Sequence, residues 1–316
     1  MMDWTDRHCR YFHRQMSRQA LLYTEMVTAP ALVRGGALRL LEFSPEEHPV
    51  ALQLGGSDPK ELAQAARIGG EAGYDEINLN CGCPSDRVQS GTFGAVLMKT
   101  PDLVAEGCAA MIAAQPREVT VKCRIGVDDQ EPRDVLPDFL GRIAAAGVRR
   151  VIIHARKAWL KGLSPKENRE VPPLDPELVV AMKRDFAQLH ISINGGIADL
   201  DQARAWLDRG LDGVMIGRAA YHDPYAILGR ADEVIFGGGP CRGPVEVLDA
   251  MRPYIARHLE TGGRLHQVTR HMLGLFHGQP GARSWRRVLS EGAQDAAAGL
   301  DVLDAALEAM SAARAA

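Results

Sequence analysis

Short β-branched runs alternate with longer helical patterns through the first three quarters of the chain, and this rhythm narrows the fold to βα units around a parallel sheet. The runs that read as strands are Tyr23–Val27, Val50–Leu54, Glu76–Asn80, Val119–Arg124, Val151–His154, His190–Asn194 and Gly213–Ile216. Between them, Glu61–Ala72, Leu103–Ala114, Val135–Ala146, Pro176–Phe186 and Leu200–Arg209 have the apolar spacing and length of crossover helices. Gly73, Gly147 and Gly210 follow three of these helices, where a residue able to turn left-handed ends an α-helix well. Seven strands are one short of a (β/α)8 barrel, and Met1 opens directly on what reads as the loop and helix after a strand. The expected fold is therefore an α/β (β/α)8 TIM barrel whose first strand is truncated, by a late start site or an expression boundary. A seven-stranded open sheet is the alternative, and the residues at the strand ends favour the barrel.

After about residue 240 the strands stop. Residues 245–259, 264–276, 283–291 and 299–313 read as amphipathic helices separated by Thr261-Gly262-Gly263, Gly278-Gln279-Pro280-Gly281 and an Ala/Gly-rich stretch. The expected division is a barrel domain over 1–238 and a small helical bundle over 239–316. Two domains suit a chain of 316 residues, which exceeds the length at which one core usually stops growing. With 46% hydrophobic and 24% charged residues the composition is globular rather than disordered. No apolar run is long enough to span a membrane, and the first residues lack an apolar leader. Six cysteines in so long a chain do not suggest a disulfide framework, and none has zinc-ribbon spacing. The expectation is a cytoplasmic, monomeric protein with no structural metal. A net charge of −3 argues against a uniformly basic surface.

Barrel enzymes build their sites at the C-terminal ends of the strands. Polar residues collect there in otherwise apolar segments: Gln53, Lys122, His154, Asn194 before Gly195-Gly196, and Gly217-Arg218. Counting an absent first strand, the last two features follow barrel strands seven and eight, where glycines and a helix N-terminus suit a phosphate. Lys122 reads as a buried ion pair, a Schiff-base nucleophile or a cation beside an electron-rich ring. Gln53 offers a carbonyl and an amide at fixed separation to the edge of a heterocycle. Flavin mononucleotide (FMN) accommodates all of these together, with His154 at the cofactor or at a substrate phosphate. The segment Asn78-Leu79-Asn80-Cys81-Gly82-Cys83-Pro84 places a thiol in a Gly/Pro loop just past a strand end. At the mouth of a flavin site, Cys83 is suited to protonate a carbon while its neighbour receives a hydride; Cys81 and Cys123 read as packing residues. Residues 91–94 read as a flap over the site.

These motifs, with Lys122, His154-Ala155-Arg156, Asn194-Gly195-Gly196 and Gly217-Arg218, resemble the tRNA-dihydrouridine synthases. The opening Met1-Met2-Asp3-Trp4-Thr5-Asp6-Arg7 and the loop from Lys157 to Arg169 resemble the A-type subfamily, and the likeness covers nearly the whole chain. The resemblance implies an FMN enzyme reduced by NADPH that passes hydride to C6 of uridines 20 and 20a in the tRNA D-loop, with a cysteine protonating C5. Carried over by motif, Cys83 resembles the proton donor. Met1, Met2, Gln53, Lys122, His154, Asn194, Gly195, Gly196, Gly217 and Arg218 resemble the FMN ligands. Asn80 resembles a substrate contact, and Lys166, Arg169, Arg283 and Arg286 look like tRNA contacts. The family carries a strand and a proline before the Met-Met pair, and this sequence departs from it there.

A stacked uridine must be turned out to reach a barrel floor, which calls for a phosphate-gripping surface beyond the active site. Residues 252–290 hold seven arginines against the single acid Glu260, a local surplus that the global charge conceals. Arginine suits bidentate phosphate contact. Two other readings stay open: an FMN barrel oxidoreductase of a small substrate, of the dihydroorotate-dehydrogenase kind, and a non-catalytic tRNA-binding module.

Overall fold

The computed structural model describes residues 1–85 and 93–315. Its strands are β1 (Leu22–Thr28), β2 (Val50–Gly55), β3 (Glu76–Cys81), β4 (Glu118–Arg124), β5 (Arg150–His154), β6 (His190–Asn194) and β7 (Gly213–Met215). They form one sheet in sequence order from β1 to β7, and the pairs from β2/β3 to β6/β7 are parallel. Sequential parallel strands joined through helices give the curled sheet of a TIM-barrel-like fold, and every expected strand is present. Among the described residues β1 and β7 are the two edges.

The two faces of this sheet differ in kind. Residues two apart share a face. In β3, Glu76, Asn78 and Asn80 alternate with Ile77 and Leu79; in β4, Thr120, Lys122 and Arg124 alternate with Val119, Val121 and Cys123; β6 sets Ser192 and Asn194 against Ile191 and Ile193. The parallel register carries each set from strand to strand. Leu52 and Ile77 on the apolar face press so closely on Gly69 of the helix Pro59–Glu71 that a methyl group there would fall within 3 Å of both. Strands covered on both faces are usually apolar throughout. Here the face turned away from the helices is polar, so it is built for something other than packing.

Three crossover helices, Pro59–Glu71, Pro101–Ala114 and Pro132–Ala145, begin two or three residues ahead of the apolar pattern. Proline at the first helical position is the cause, since its fixed φ is already helical and its missing N–H is not needed there. Capping acids assist: Asp58 accepts from the Lys60 and Glu61 amides, and Glu131 from the Arg133 amide.

The chain divides into two compact units. One comprises Tyr23–Glu42 and Val50–Ile216; the other gathers Met1–Leu22, Phe43–Pro49 and Gly217–Ala316. In the second unit the helices Pro244–Glu260, Ala282–Gly292 and Asp301–Ala315 match expectation, whereas the helix expected over 264–276 stops at Thr269. Gly274 is pressed against the His222 carbonyl with no room for a side chain, and Gly278 and Gly281 hold φ of 74° and 81°, so the backbone turns instead. Trp285 is fully buried there, edge-on to Phe276 at 4.9 Å, with its indole N–H donated to the Met272 carbonyl. Arg14 binds the Phe43–Pro49 segment to the helix Arg7–Arg14 by donating to the carbonyls of Glu47 and Pro49, and Arg10 pairs with the buried Glu47 carboxylate at 2.7 Å. Among the described residues no helix is long and apolar enough to cross a membrane.

Candidate active site

At the C-terminal end of β3 the chain turns through Gly82 and Cys83, and Asn80 makes the turn. Its Oδ1 accepts from the Gly82 amide at 3.0 Å and the Cys83 amide at 2.9 Å, the side-chain mimic of a backbone turn that asparagine forms readily. Its Nδ2 donates to Gln53 Oε1 at 2.8 Å, and Gln53 Nε2 donates to Asn78 Oδ1 at 2.9 Å. Gln53 is therefore partnered on both sides, yet an amide has two N–H groups and two lone pairs, so one of each remains for a ligand. The Asn80 carbonyl has spent both lone pairs on the loop. Its clear structural task is to shape the Cys83 turn.

Cys83 is half-buried, with its Sγ 3.5 Å from Ser85 Oγ. Cys81 and Cys123 are fully buried beside it in sequence and register; burial pushes the Cys81 thiol well up and Cys123 to about 12. A thiol meant to trade protons with a substrate has to meet solvent or ligand, and of these three only Cys83 does.

Lys122 is the register partner of Asn80 on the neighbouring strand. Burial, then the charge of Arg124, lowers its ammonium to about 8, and Cys83 lies within electrostatic range of both cations. Among the described residues no carboxylate pairs with Lys122, so none of them supports the buried-ion-pair reading. Lys122 is, among the described residues, a cation without a paired anion, on a polar face and within electrostatic range of a thiol.

Sequence reading passed over Arg124. It is 4% exposed, and its Nε donates to the Gly82 carbonyl at 3.1 Å while Nη1 donates to the carbonyls of Lys157 and Asn168 at 3.2 and 2.9 Å. Arg124 thus ties the thiol turn to the loop 157–169. That loop is built on Asn168, fully buried, whose Nδ2 donates to the carbonyls of Trp159 and Leu163 and whose Oδ1 accepts from the Trp159 amide at 2.7 Å. Lys166 and Arg169 stand exposed on it. The available signal for Arg124 was its place two residues after Lys122 on the same face. Asn78 and Asn168 gave none beyond their residue type.

His154 ends β5 in register with Asn194, and both neighbour Gly195. Gly195 and Gly196 hold φ of 107° and 75°, which strains any side chain there, and a Cβ on Gly195 would crowd His154 Nε2 at 3.1 Å. Asn194 Nδ2 donates to the Met215 carbonyl at 2.8 Å and thereby locks β6 to β7. Met1, Met2, Gly217 and Arg218 belong to the other unit, where Met1 Sδ lies 3.2 Å from the Cβ position of Gly217. The helix after Gly217 has only five residues, Arg218–His222, too short for the macrodipole expected from sequence.

In the helical region, Arg283 and Arg286 are exposed on the helix Ala282–Gly292, whose opposite side buries Trp285 and Leu289. Arg252 is paired with Asp249 and Asp304, and Arg270 with Asp6. The run of seven arginines is thus partly neutralised by acids from outside the run. Residues 91 and 92 of the expected flap lie outside the described residues.

A family model described as "Dihydrouridine synthase (Dus)" matches residues 1–312. A tRNA-dihydrouridine(20/20a) synthase of Shewanella oneidensis is 56% identical over 309 residues, covering 98% of this chain and 91% of that protein. Proteins of the same name from Vibrio cholerae and Escherichia coli K12 are 56% and 57% identical, covering 97% and 98% of this chain and 94% and 89% of theirs. Among solved structures, morphinone reductase superposes with a TM-score of 0.51 at 14% identity, over 77% of this chain and 84% of its own, a likeness of fold alone.

Proposed function

The chain belongs to the dihydrouridine synthase family, and from that premise we propose that it is a tRNA-dihydrouridine(20/20a) synthase: an oxidoreductase that reduces the C5–C6 double bond of D-loop uridines in tRNA. The observation that carries this reading is the Cys83 turn, held by Asn80 and Arg124 within electrostatic range of Lys122, a cation with no ion-pair partner among the described residues.

A flavin fits the residues present. The polar face offers the spare N–H and lone pair of Gln53, the ammonium of Lys122 and the side-chain-free backbone at Gly195 and Gly196 against His154, a set that matches a neutral heterocycle edge, an electron-rich ring and a phosphate. We assign FMN to Gln53, Lys122, His154, Asn194, Gly195 and Gly196. When bound and reduced by NADPH, that group supplies the hydride for C6 of the uridine. Cys83 holds a proton at Sγ and delivers it to C5, so hydride and proton together saturate the bond. Lys122 holds positive charge where the reduced ring is negative. Asn80 reaches the uridine through its remaining N–H while keeping the turn closed. Lys166 and Arg169, exposed on the Asn168 loop, and Arg283 and Arg286 on the helical region grip tRNA phosphates. In this reading 1–238 is the catalytic domain and 239–316 the tRNA-binding domain of a cytoplasmic monomer.

The test is Cys83→Ala. It retains flavin and tRNA binding and loses about 10²–10⁴-fold in the rate of dihydrouridine formation, the usual contribution of a general acid. An unchanged rate contradicts the proton-donor role.

A further inference from the structure

The mechanism above makes no use of Glu76, a carboxylate 3% exposed at the opposite end of β3 from the thiol turn. It is the terminus of a chain of hydrogen bonds that all run one way. The Cys83 amide donates to Asn80 Oδ1 at 2.9 Å, Asn80 Nδ2 to Gln53 Oε1 at 2.8 Å, and Gln53 Nε2 to Asn78 Oδ1 at 2.9 Å. Asn78 Nδ2 then donates to Thr120 Oγ1 at 2.8 Å, and Thr120 Oγ1 donates to Glu76 Oε1 at 2.6 Å. Asn78 and Thr120 are fully buried, and Asn80 and Gln53 nearly so.

The direction is set at the thiol turn. A backbone amide can only donate, so Asn80 must present its carbonyl to the turn. Followed link by link from there, Thr120 accepts from Asn78 and has its own hydroxyl proton left for Glu76 Oε1. Each amide between them is left with one orientation, because reversing any of them sets two N–H groups or two oxygens face to face. Tyr23 OH donates to the same Glu76 oxygen at 2.7 Å, and Arg150 Nη1 lies 3.4 Å from the other. Burial raises the Glu76 pKa while these donors oppose it.

We propose that Glu76 is a positioning residue for the reaction, acting through Thr120 and Asn78 to fix which atoms of Gln53 and Asn80 face the ligand and to hold the Cys83 turn. This deepens the functional reading, on which its relevance to catalysis rests; the order of the chain itself does not depend on that reading. Orientation is the point. The Gln53 donor and acceptor left over for a ring edge are interchanged if the relay reverses, and the Asn80 carbonyl that closes the turn becomes an amide that opens it.

The test uses the full chain as purified and reads Cys83 directly. Iodoacetamide labelling is followed by mass spectrometry with fragment localisation, and Cys241, half-buried in the other unit, serves as internal control. Thr120→Val keeps the shape of the side chain and cuts the relay in its middle; Thr120→Ser retains the hydroxyl. Glu76→Gln is the variant at the terminus itself, and the Thr120 pair keeps the proposal open to refutation should Glu76→Gln fail to fold. Thr120→Val raises the Cys83 labelling rate about tenfold, as expected when a buried amide loses its acceptor, and Thr120→Ser restores it to within about twofold. Cys241 labels at the same rate in all variants. In turnover with tRNA, Thr120→Val lowers kcat and leaves KM within about twofold. A Cys83 rate in Thr120→Val equal to wild type overturns the proposal, as does a rise that Thr120→Ser fails to reverse. If the labelling pattern appears and the wild type makes no dihydrouridine, the relay stands and the functional reading falls.

Discussion

Lys122 shows how a single residue exposes the character of the site. Its ammonium is buried with no carboxylate partner among the described residues and its pKa falls from 10.5 to about 8, so folding is opposed by the desolvation of a charge that only a bound anion or electron-rich ring would repay. The sign is definite. Below pH 8 the lysine is protonated folded and unfolded and the cost is present in full; between about 8 and 10.5 the folded form has shed its proton and the cost is relieved. Lys122→Met removes the effect. Urea unfolding of the ligand-free chain at pH 7.5 and pH 10 should show the wild type gaining roughly 2–3 kcal/mol on Lys122→Met across that interval. A constant difference contradicts the lowered pKa. Residues of this kind were legible in the sequence, since a lysine inside Val119-Thr120-Val121-Lys122 stands out against its neighbours. Arg124, Asn78 and Asn168 were not, because their roles consist of hydrogen bonds to backbone and side chains far away in sequence, which no local pattern encodes.

Among the elements, apolar runs mark the strands because a parallel sheet needs them on its helix-facing side, whereas three crossover helices start ahead of their apolar spacing because proline begins each of them and a capping acid assists two. The stretch 264–276 misled for the opposite reason: its apolar spacing is helical, and a tertiary contact at Gly274 overrides it. The loop 157–169 has neither strand nor regular α-helix and depends on one side chain. Asn168→Ala leaves the part-buried Trp159 amide and the Trp159 and Leu163 carbonyls without these side-chain partners, a local cost of about 1–3 kcal/mol. Hydrogen exchange should then quicken about tenfold or more in peptides covering 157–169 while those of β4 and β5 keep their protection. Unaltered exchange in the loop would show that Asn168 does not organise it.

For the whole molecule, the formal charge of −3 described the chain poorly. Acids and bases are sorted: seven arginines fall within 252–290, and of these Arg252 and Arg270 are committed to ion pairs while Arg283 and Arg286 stand exposed with no ion pair among the described residues. An RNA partner needs such a surface, not a basic total. A curled parallel sheet with one polar face, a thiol turn at its strand ends and a set of exposed arginines elsewhere together describe an enzyme that reduces a base while holding a tRNA. The direct measurement takes tRNA lacking dihydrouridine, incubates it with the purified chain, FMN and NADPH, and maps the product by mass spectrometry. The account predicts a gain of two hydrogens at uridines 20 and 20a and at no other uridine. A tRNA that returns unchanged from a chain carrying its flavin, or one reduced only at other positions, would contradict it.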